Sequence, residues 1–539
     1  MLICHLVLVM ALGVASVSAS SSSSTPTLGD SVAVQQQSVD SSTELSSASN
    51  SDNADVQLTV RHILHFSDVH LNISESLNAN DSAKMAIAYG EDAPISLLVS
   101  ALEYAKHFLP DPDFFLYTGD HAVHGELSDE YLAEVVQTNV ETMAEYYSAN
   151  GTSLDITAII GNADTSPDYT MNVTDPEVEE NPTIALLSGA WDDTLSKSNL
   201  DMFNHRGYLA YDFDANLVVL TLNTLPYSPS HLPDTSTMPD PFEQFEWLNA
   251  SLLELRSNSK FAYIVGHIPP IIDSYSGAPQ WNETYIKTYK QIVDTYADVI
   301  KAQLFGHVHS IEFRLPISGN QATQTEQNAG DDDSSQLVPL FLVAAISPLF
   351  KNNPAFMVWD FDAATYDILD FTVYGSNISD GSHELDWQPL FKASEEYGIN
   401  SLSASELSGF VARAAANPAL LEQYYYNSKA QSYRQSPCLD ATCQAQWQCS
   451  LYWWSTAADY EACVSSTTVQ QTAYDTTQPA TSVSSSVGSL LYVSIAILAG
   501  AMAVAAAAVL IASRACRRGG DEGSGRMLEA QRVRFASVV

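Results

Sequence analysis

From Leu58 onward the chain alternates short apolar runs with polar clusters, and the clusters fall where the runs stop. Val60–Phe66 runs into Ser67-Asp68-Val69-His70, and 113–118 (DFFLYT) runs into Gly119-Asp120. Residues 155–160 (DITAII) lead to Gly161-Asn162, 261–265 (FAYIV) to Gly266-His267, and Ile300–Phe305 (IKAQLF) to Gly306-His307-Val308-His309. Runs of this length, closed by Gly or Ser, read as strands. Between them lie helix-length stretches, among them Ile95–Phe108 and 130–147. Alternating strands and helices predict an α/β fold, in which ligands gather at the carboxyl ends of the strands.

What stands at those strand ends is one kind of chemistry. Imidazole and carboxylate oxygen suit zinc, iron or manganese, and a carboxylate can bridge two ions. Two divalent ions about 3.5–4 Å apart clamp a phosphoryl group and acidify water. The Gly before a ligand lets the backbone turn tightly beside the ions. Each residue alone has an ordinary explanation: Asp68 and Asp120 could cap helices, and Asn162 could serve a turn. Five such strand ends in one chain point to a metal cage.

Charge narrows the partners. The 539 residues carry 22 Lys+Arg against 64 Asp+Glu, a net charge of −42. Such a surface repels a nucleic-acid backbone, so no nucleic-acid-binding face is expected and any phosphate handled here needs a local cation.

The two ends of the chain predict its address. Residues 1–19 form an apolar stretch closing on Val17-Ser18-Ala19, a secretory signal peptide by pattern, followed by a Ser-rich spacer over 20–57. Residues 490–512 are 23 positions without a charge, enough to span a bilayer, with Arg514, Arg517 and Arg518 directly after. A single-pass type I protein is therefore expected, with residues 513–539 as a cytosolic tail and the acidic bulk outside the cell or in a lumen. Sequons at Asn72, Asn80, Asn150, Asn172, Asn249, Asn282 and Asn377 are glycosylation candidates that agree with this placement. Cys438, Cys443, Cys449 and Cys463 cluster in one window. In an oxidising compartment they read as two disulfides, with three connectivities open, and without a C-x-x-C pair or nearby His a zinc site is the weaker reading. Residues 464–489, rich in Ser and Thr, read as a stalk.

The ordered motifs D-x-H, G-D, G-N, G-H and G-H-x-H resemble those of the calcineurin-like metallophosphoesterases. Within that group HFSDVHL, YTGDHAVH, LNTLPY followed by FEQFEWLNASL, EQYYYNSKAQSY and CLDATCQAQWQC are similar to the acid sphingomyelinase-like phosphodiesterases, from about Arg61 to Cys463. The resemblance implies a two-sheet sandwich flanked by helices over 58–375 and a small helical, disulfide-linked subdomain over 376–463. It implies Cys438 pairing with Cys443 and Cys449 with Cys463. It also implies two divalent ions, zinc first and iron or manganese as alternatives: Asp68, His70 and His309 on one, Asn162, His267 and His307 on the other, and Asp120 bridging them. His124 matches the family's proton donor to the leaving oxygen. The implied activity is cleavage of phosphodiester or pyrophosphate bonds by an activated hydroxide.

Two departures bear on substrate. Gly161-Asn162-Ala163-Asp164 stands where the family has G-N-H-[DE], so a His that touches the phosphate is missing; a general acid is typically worth about 10²–10⁴-fold. Fungal endopolyphosphatases of the same superfamily also replace that His, so a polyphosphatase-like hydrolase is one alternative and a catalytically weakened metal-binding surface protein another. The Ser-rich spacer stands where acid sphingomyelinases carry a saposin-like domain. Soluble diesters such as nucleotides or choline-linked diphosphates are therefore expected at least as much as sphingomyelin.

Overall fold

The computed structural model describes residues 59–73, 87–147, 157–317, 338–378 and 385–477. The signal peptide, the Ser-rich spacer, the apolar run at 490–512, the tail, Asn80 and Asn150 lie outside the described residues. Among the described residues no helix is long and apolar enough to cross a membrane.

In chain order the strands are β1 (Val60–Phe66), β2 (Leu71–Asn72), β3 (Ala93–Pro94), β4 (Phe114–Tyr117) and β5 (Ala210–Asp212). Next come β6 (Leu217–Leu222), β7 (Phe261–Gly266), β8 (Ile300–Phe305), β9 (Glu312–Pro316) and β10 (Leu340–Leu342). The last are β11 (Ala355–Asp362), β12 (Ile368–Gly375), β13 (Gln388–Lys392) and β14 (Tyr452–Trp453). One sheet has the order β13-β12-β11-β1-β4 and the other β14-β9-β10-β8-β7-β6-β5, beside the short pair β2-β3. In the larger sheet β6, β7, β8 and β10 are mutually parallel, so four chain directions agree and their carboxyl ends share an edge. In the smaller sheet β1 and β4 are also parallel. β6 (LVVLTL) is buried at every position, as a parallel strand covered on both faces must be.

Helices cover the sheets with one apolar stripe each. Ile95–Phe108 buries Leu97, Leu98, Ala101, Leu102 and Ala105, spaced for a single helical face. Asp129–Tyr147 buries Leu132, Val135, Val136, Val140 and Met143 in the same way. Among the described residues beyond Gly375 most are helical, yet β13 extends the smaller sheet beside β12 and β14 extends the larger beside β9. The two disulfides, Cys438–Cys443 and Cys449–Cys463, lie in this last part.

The structure departs from the sequence pattern in two places. Residues 157–160, expected as part of a strand, are buried but join no ladder. A hydroxyl does the pairing there: Tyr117 N donates to Thr157 Oγ1 (2.9 Å), and Thr157 Oγ1 donates to Tyr117 O (2.8 Å). The stalk expected from residue 464 begins instead within a helix, Ala457–Thr477. Ser466 and Thr468 return hydroxyl bonds to Cys463 O and Val464 O (both 2.8 Å), so these polar side chains satisfy themselves on the helix.

Candidate metal centre

Four strand ends and one buried loop meet at one point. The turn after β1 carries Asp68 and His70, that after β4 carries Asp120, and that after β7 carries His267. The turn after β8 carries His307 and His309, and Asn162 follows the unpaired run at 157–160. Five of these residues adopt left-handed backbone: Asp68 (φ 50°), His70 (47°), Asp120 (56°), His307 (75°) and His309 (48°). For a residue with a Cβ this costs about 1–3 kcal/mol each, and it persists only where the surroundings over-determine it. Here they do. Asp68 N donates to Gly119 O (3.1 Å), His70 N to Asp120 O (3.1 Å) and His307 N to Asp68 Oδ1 (3.0 Å). A Cβ on Gly161 would overlap the Asp120 carboxylate, and one on Gly306 would overlap Ser67 Oγ, so glycine is required at both close approaches.

The ligand-type atoms form two groups. Those of Asp68, His70 and His309 lie within 4.8 Å of one another, and those of Asp120, His267 and His307 form a second such group. Asn162 Oδ1 joins the second group at 3.1 Å from His267 Nε2. Asp120 Oδ2 lies between the groups, 3.4 Å from His70 Nε2 and 3.2 Å from His267 Nε2.

Two observations show that this cage suits cations. The first is the outer hydrogen bonding of the imidazoles. His70 Nδ1 bonds Ala122 O (3.0 Å) and His267 Nδ1 bonds Thr118 O (2.8 Å), so each must donate there and present its Nε2 lone pair inward. His307 Nε2 bonds Gln280 Oε1 (3.0 Å), which leaves its Nδ1 lone pair. His70 Nε2 then faces His309 Nε2 at 3.1 Å, near enough for both nitrogens to reach one cation, while the buried His309 Nδ1 has no hydrogen-bond partner among the described residues. The second observation is charge. Asp68 and Asp120 are fully buried, and among the described residues no Lys or Arg pairs with either. Buried carboxylates require a counter-charge, and two divalent ions would provide it.

The imidazoles divide: burial would lower His267, but the charges of Asp120 and Asp68 outweigh it and push this ring up to about 9, so it holds a proton that a cation would displace. Burial holds His70 down to about 4 and His307 down to about 3, in the neutral form that binds metal. Burial and the charge of Asp120 push Asp68 up to about 7. Burial opposes ionisation of Asp120 as well, but His267 and His70 outweigh it and hold this carboxyl well below the usual range.

A cavity of about 1030 Å³ opens above both groups, with Asp120, His124, Asn162, His307 and His309 on its floor. Its walls include Tyr275, Phe350, Lys429 and Trp447, the last two from the C-terminal part. His124 stands at the floor's edge, its ring 4.5 Å from that of His70. Its Nδ1 bonds Asp168 Oδ2 at 2.6 Å, while Gly125 N donates to Asp168 Oδ1 (2.9 Å). Burial alone would lower this imidazole, but the bond to Asp168 and the charges of Asp120, Asp168 and Asp92 raise it above its ordinary value.

Sequence reasoning gave no role to several residues that serve the site. Asp164 accepts four backbone N–H groups, from Asp120 (3.1 Å), His121 (2.7 Å), Ala122 (3.0 Å) and Gly161 (2.8 Å), and so clamps the turn that carries Asp120. Its place in the Gly-Asn-Ala-Asp run was the available signal. Asp168, Tyr169 and Gln280 had none. His121, adjacent to Asp120, belongs to the core: its Nδ1 bonds Asn139 and its ring packs on Tyr117 and Trp191. Of the sequons, Asn172, Asn249 and Asn377 are exposed and Asn72 is half-buried. Asn282 is the exception, because the Nδ2 that would carry a glycan is buried at the start of helix Glu283–Thr295.

Known proteins share this arrangement of sequence. Residues 61–310 match the family model described as calcineurin-like phosphoesterase, and residues 334–470 match that of the acid sphingomyelin phosphodiesterase C-terminal region. "Sphingomyelinase phosphodiesterase D" of Dictyostelium discoideum is 26% identical over 344 residues, 62% of this chain and 73% of that protein. Human "Acid sphingomyelinase-like phosphodiesterase 3b" is 27% identical over 378 residues, covering 67% and 78%. Human "Cyclic GMP-AMP phosphodiesterase SMPDL3A" is 25% identical over 405 residues, covering 72% and 84%.

Proposed function

Since the chain belongs to the calcineurin-like metallophosphoesterases of the acid sphingomyelinase-like family, and is thereby a metal-dependent phosphodiester hydrolase, we propose that its substrate's phosphoryl group sits over Asp120 and that His124 protonates the leaving oxygen. Asp68, His70 and His309 would hold one divalent ion, Asn162, His267 and His307 the other, with Asp120 shared; the imidazole-rich set favours zinc. The ions, when bound, supply Lewis-acid polarisation of the phosphoryl oxygen and lower the pKa of water for attack. The chain's own residues do the rest. Asp164 fixes the turn that aims Asp120 at both groups. Asp168 holds His124 by Nδ1 and leaves Nε2 free to give its proton to the departing oxygen. That imidazole, fixed by Asp168 at the rim of the cage and raised above its ordinary pKa by the carboxylates around it, is the observation that carries the reading.

Chelation followed by two equivalents of zinc per chain is expected to abolish and then restore hydrolysis of bis(4-nitrophenyl) phosphate. His124→Ala is expected to slow a diester with an alkyl leaving group by about 10²–10⁴-fold and a nitrophenyl ester far less, since nitrophenolate departs without a proton. Equal rates for His124→Ala and wild type on the alkyl diester would remove His124 from the mechanism.

A second reading of the substrate rests on Lys351 and Lys429. These two cations line the cavity of a chain with net charge −42. They favour a leaving group that is itself anionic, as in a pyrophosphate or polyphosphate. Faster cleavage of a diphosphate diester than of a neutral alkyl diester would support it. As to place, the apolar run at 490–512 with its following arginines supports a type I membrane anchor, and the disulfides support an oxidising, non-cytosolic compartment for the hydrolase.

A further inference from the structure

On the cavity floor most imidazole N–H donors are already spent. His70, His267 and His307 spend their N–H groups outward, on Ala122 O, Thr118 O and Gln280 Oε1. Ala163 carries no donor on its side chain and is fully buried. Its backbone N–H is spent on Asp120 Oδ1 (2.8 Å). His124 is assigned to the leaving oxygen. A phosphoryl group gathers negative charge on its non-bridging oxygens as the bond breaks, and a donor aimed at that charge is worth far more in an enclosed site than in water.

Tyr169 meets the need. It lines the same cavity beside Asp120, His124 and Asn162, and its ring stands edge-on to His307, with centroids 6.4 Å apart and planes at 89°. Its hydroxyl has no hydrogen-bond partner among the described residues. Its backbone is left-handed, φ 64°, an unfavourable setting for an aromatic residue. Two bonds enforce it: Tyr169 N donates to Asn162 O (3.1 Å), and Leu232 N donates to Tyr169 O (2.9 Å). The strained residue is thus tied through its own amide to a residue of the metal cage.

We propose that the Tyr169 hydroxyl is a catalytic hydrogen-bond donor to a non-bridging phosphoryl oxygen, supplying the contact that Ala163 cannot. The inference rests on the diesterase reading above. Tyr169 transfers no proton; its O–H bond strengthens toward the phosphoryl oxygen as charge develops there.

The test uses the full chain loaded with zinc, comparing wild type with Tyr169→Phe. Expected is a fall in kcat of about 10²-fold, the scale for losing one such donor, with KM within threefold and two metal ions retained. The loss should be the same for alkyl and nitrophenyl diesters, unlike that of His124→Ala. Orthovanadate titration reads the same contact without turnover, and its affinity should weaken at least tenfold. A Tyr169→Phe enzyme within threefold of wild type in kcat overturns the proposal. So does a loss confined to KM, or a loss of metal that accompanies the loss of rate, since either makes Tyr169 a packing residue. Wild-type protein inert on every diester yet weakened toward vanadate by Tyr169→Phe would fault the diesterase reading and leave the Tyr169 contact standing.

Discussion

The floor and the C-terminal wall of the cavity use buried space differently. The floor gathers two buried carboxylates, three buried imidazoles and the half-buried His307, five of these residues being left-handed, with no Lys or Arg beside the carboxylates among the described residues. The wall, built by helices Pro418–Ser428 and Ala441–Ser450, buries rings instead: Tyr424 packs on Phe313, Phe410 and Trp447 at centroid distances of 5.5, 5.7 and 6.2 Å. Disulfides close that segment on itself. Burying charge costs free energy and burying aromatic area yields it. The wall therefore stabilises a fold whose floor is strained for binding cations, and the two should separate under mutation.

Asp120→Ala is expected to give the largest effect. Removing the carboxylate that lies between the two groups should cut turnover by about 10³-fold or more, on the scale of losing a central electrostatic group of an active site. The denaturant midpoint of the metal-free protein should barely move, because the lost group was a buried charge. A large drop in that midpoint would show that the floor supports the fold, and the contrast between floor and wall would fail.

How much of this contrast the sequence displayed depends on which interaction does the placing. Asp68, His70, Asp120, His267, His307 and His309 were legible because each follows an apolar run that ends in a turn, and runs of that kind become strands with a common edge. The run at 155–160 looked the same, yet its described residues pair through the Thr157 hydroxyl, a contact across 40 positions that no local pattern records. Asp168 reaches His124 across 44 positions and Gln280 reaches His307 across 27. Neither sits in a run or a motif, so their roles exist only once the turns converge. The wall was legible as a cysteine cluster and, through the family resemblance, as a helical subdomain, but its strands β13 and β14 were not, being five and two residues long. Short edge strands take their conformation from the sheet they join.

The wall carries the next prediction. Cys449 and Cys463 close a loop of 14 positions. Replacing both by serine should cost about 3 kcal/mol of unfolding free energy, read from the urea midpoint, while kcat at 25 °C stays within twofold. If kcat falls as steeply as stability, the wall shapes the floor directly and the division drawn above is too sharp.

The smallest effect lies at the seam between the two. Lys290, on helix Glu283–Thr295, donates to Trp453 O at 2.6 Å and stands 5.0 Å from the Trp453 ring. Burial lowers its ammonium to about 8 from an ordinary 10.5, with Asp294 and Asp459 pulling the other way. The unfolded chain therefore holds more protons than the folded one between about pH 8 and 10.5, and stability should rise with pH through that window. Urea midpoints at pH 7.5 and 9.5 measure the rise, and Lys290→Met should flatten it while leaving turnover near wild type. A rise of equal size in Lys290→Met would place the titrating group elsewhere. The loss of the rise together with a fall in kcat would mean that the seam passes strain from wall to floor.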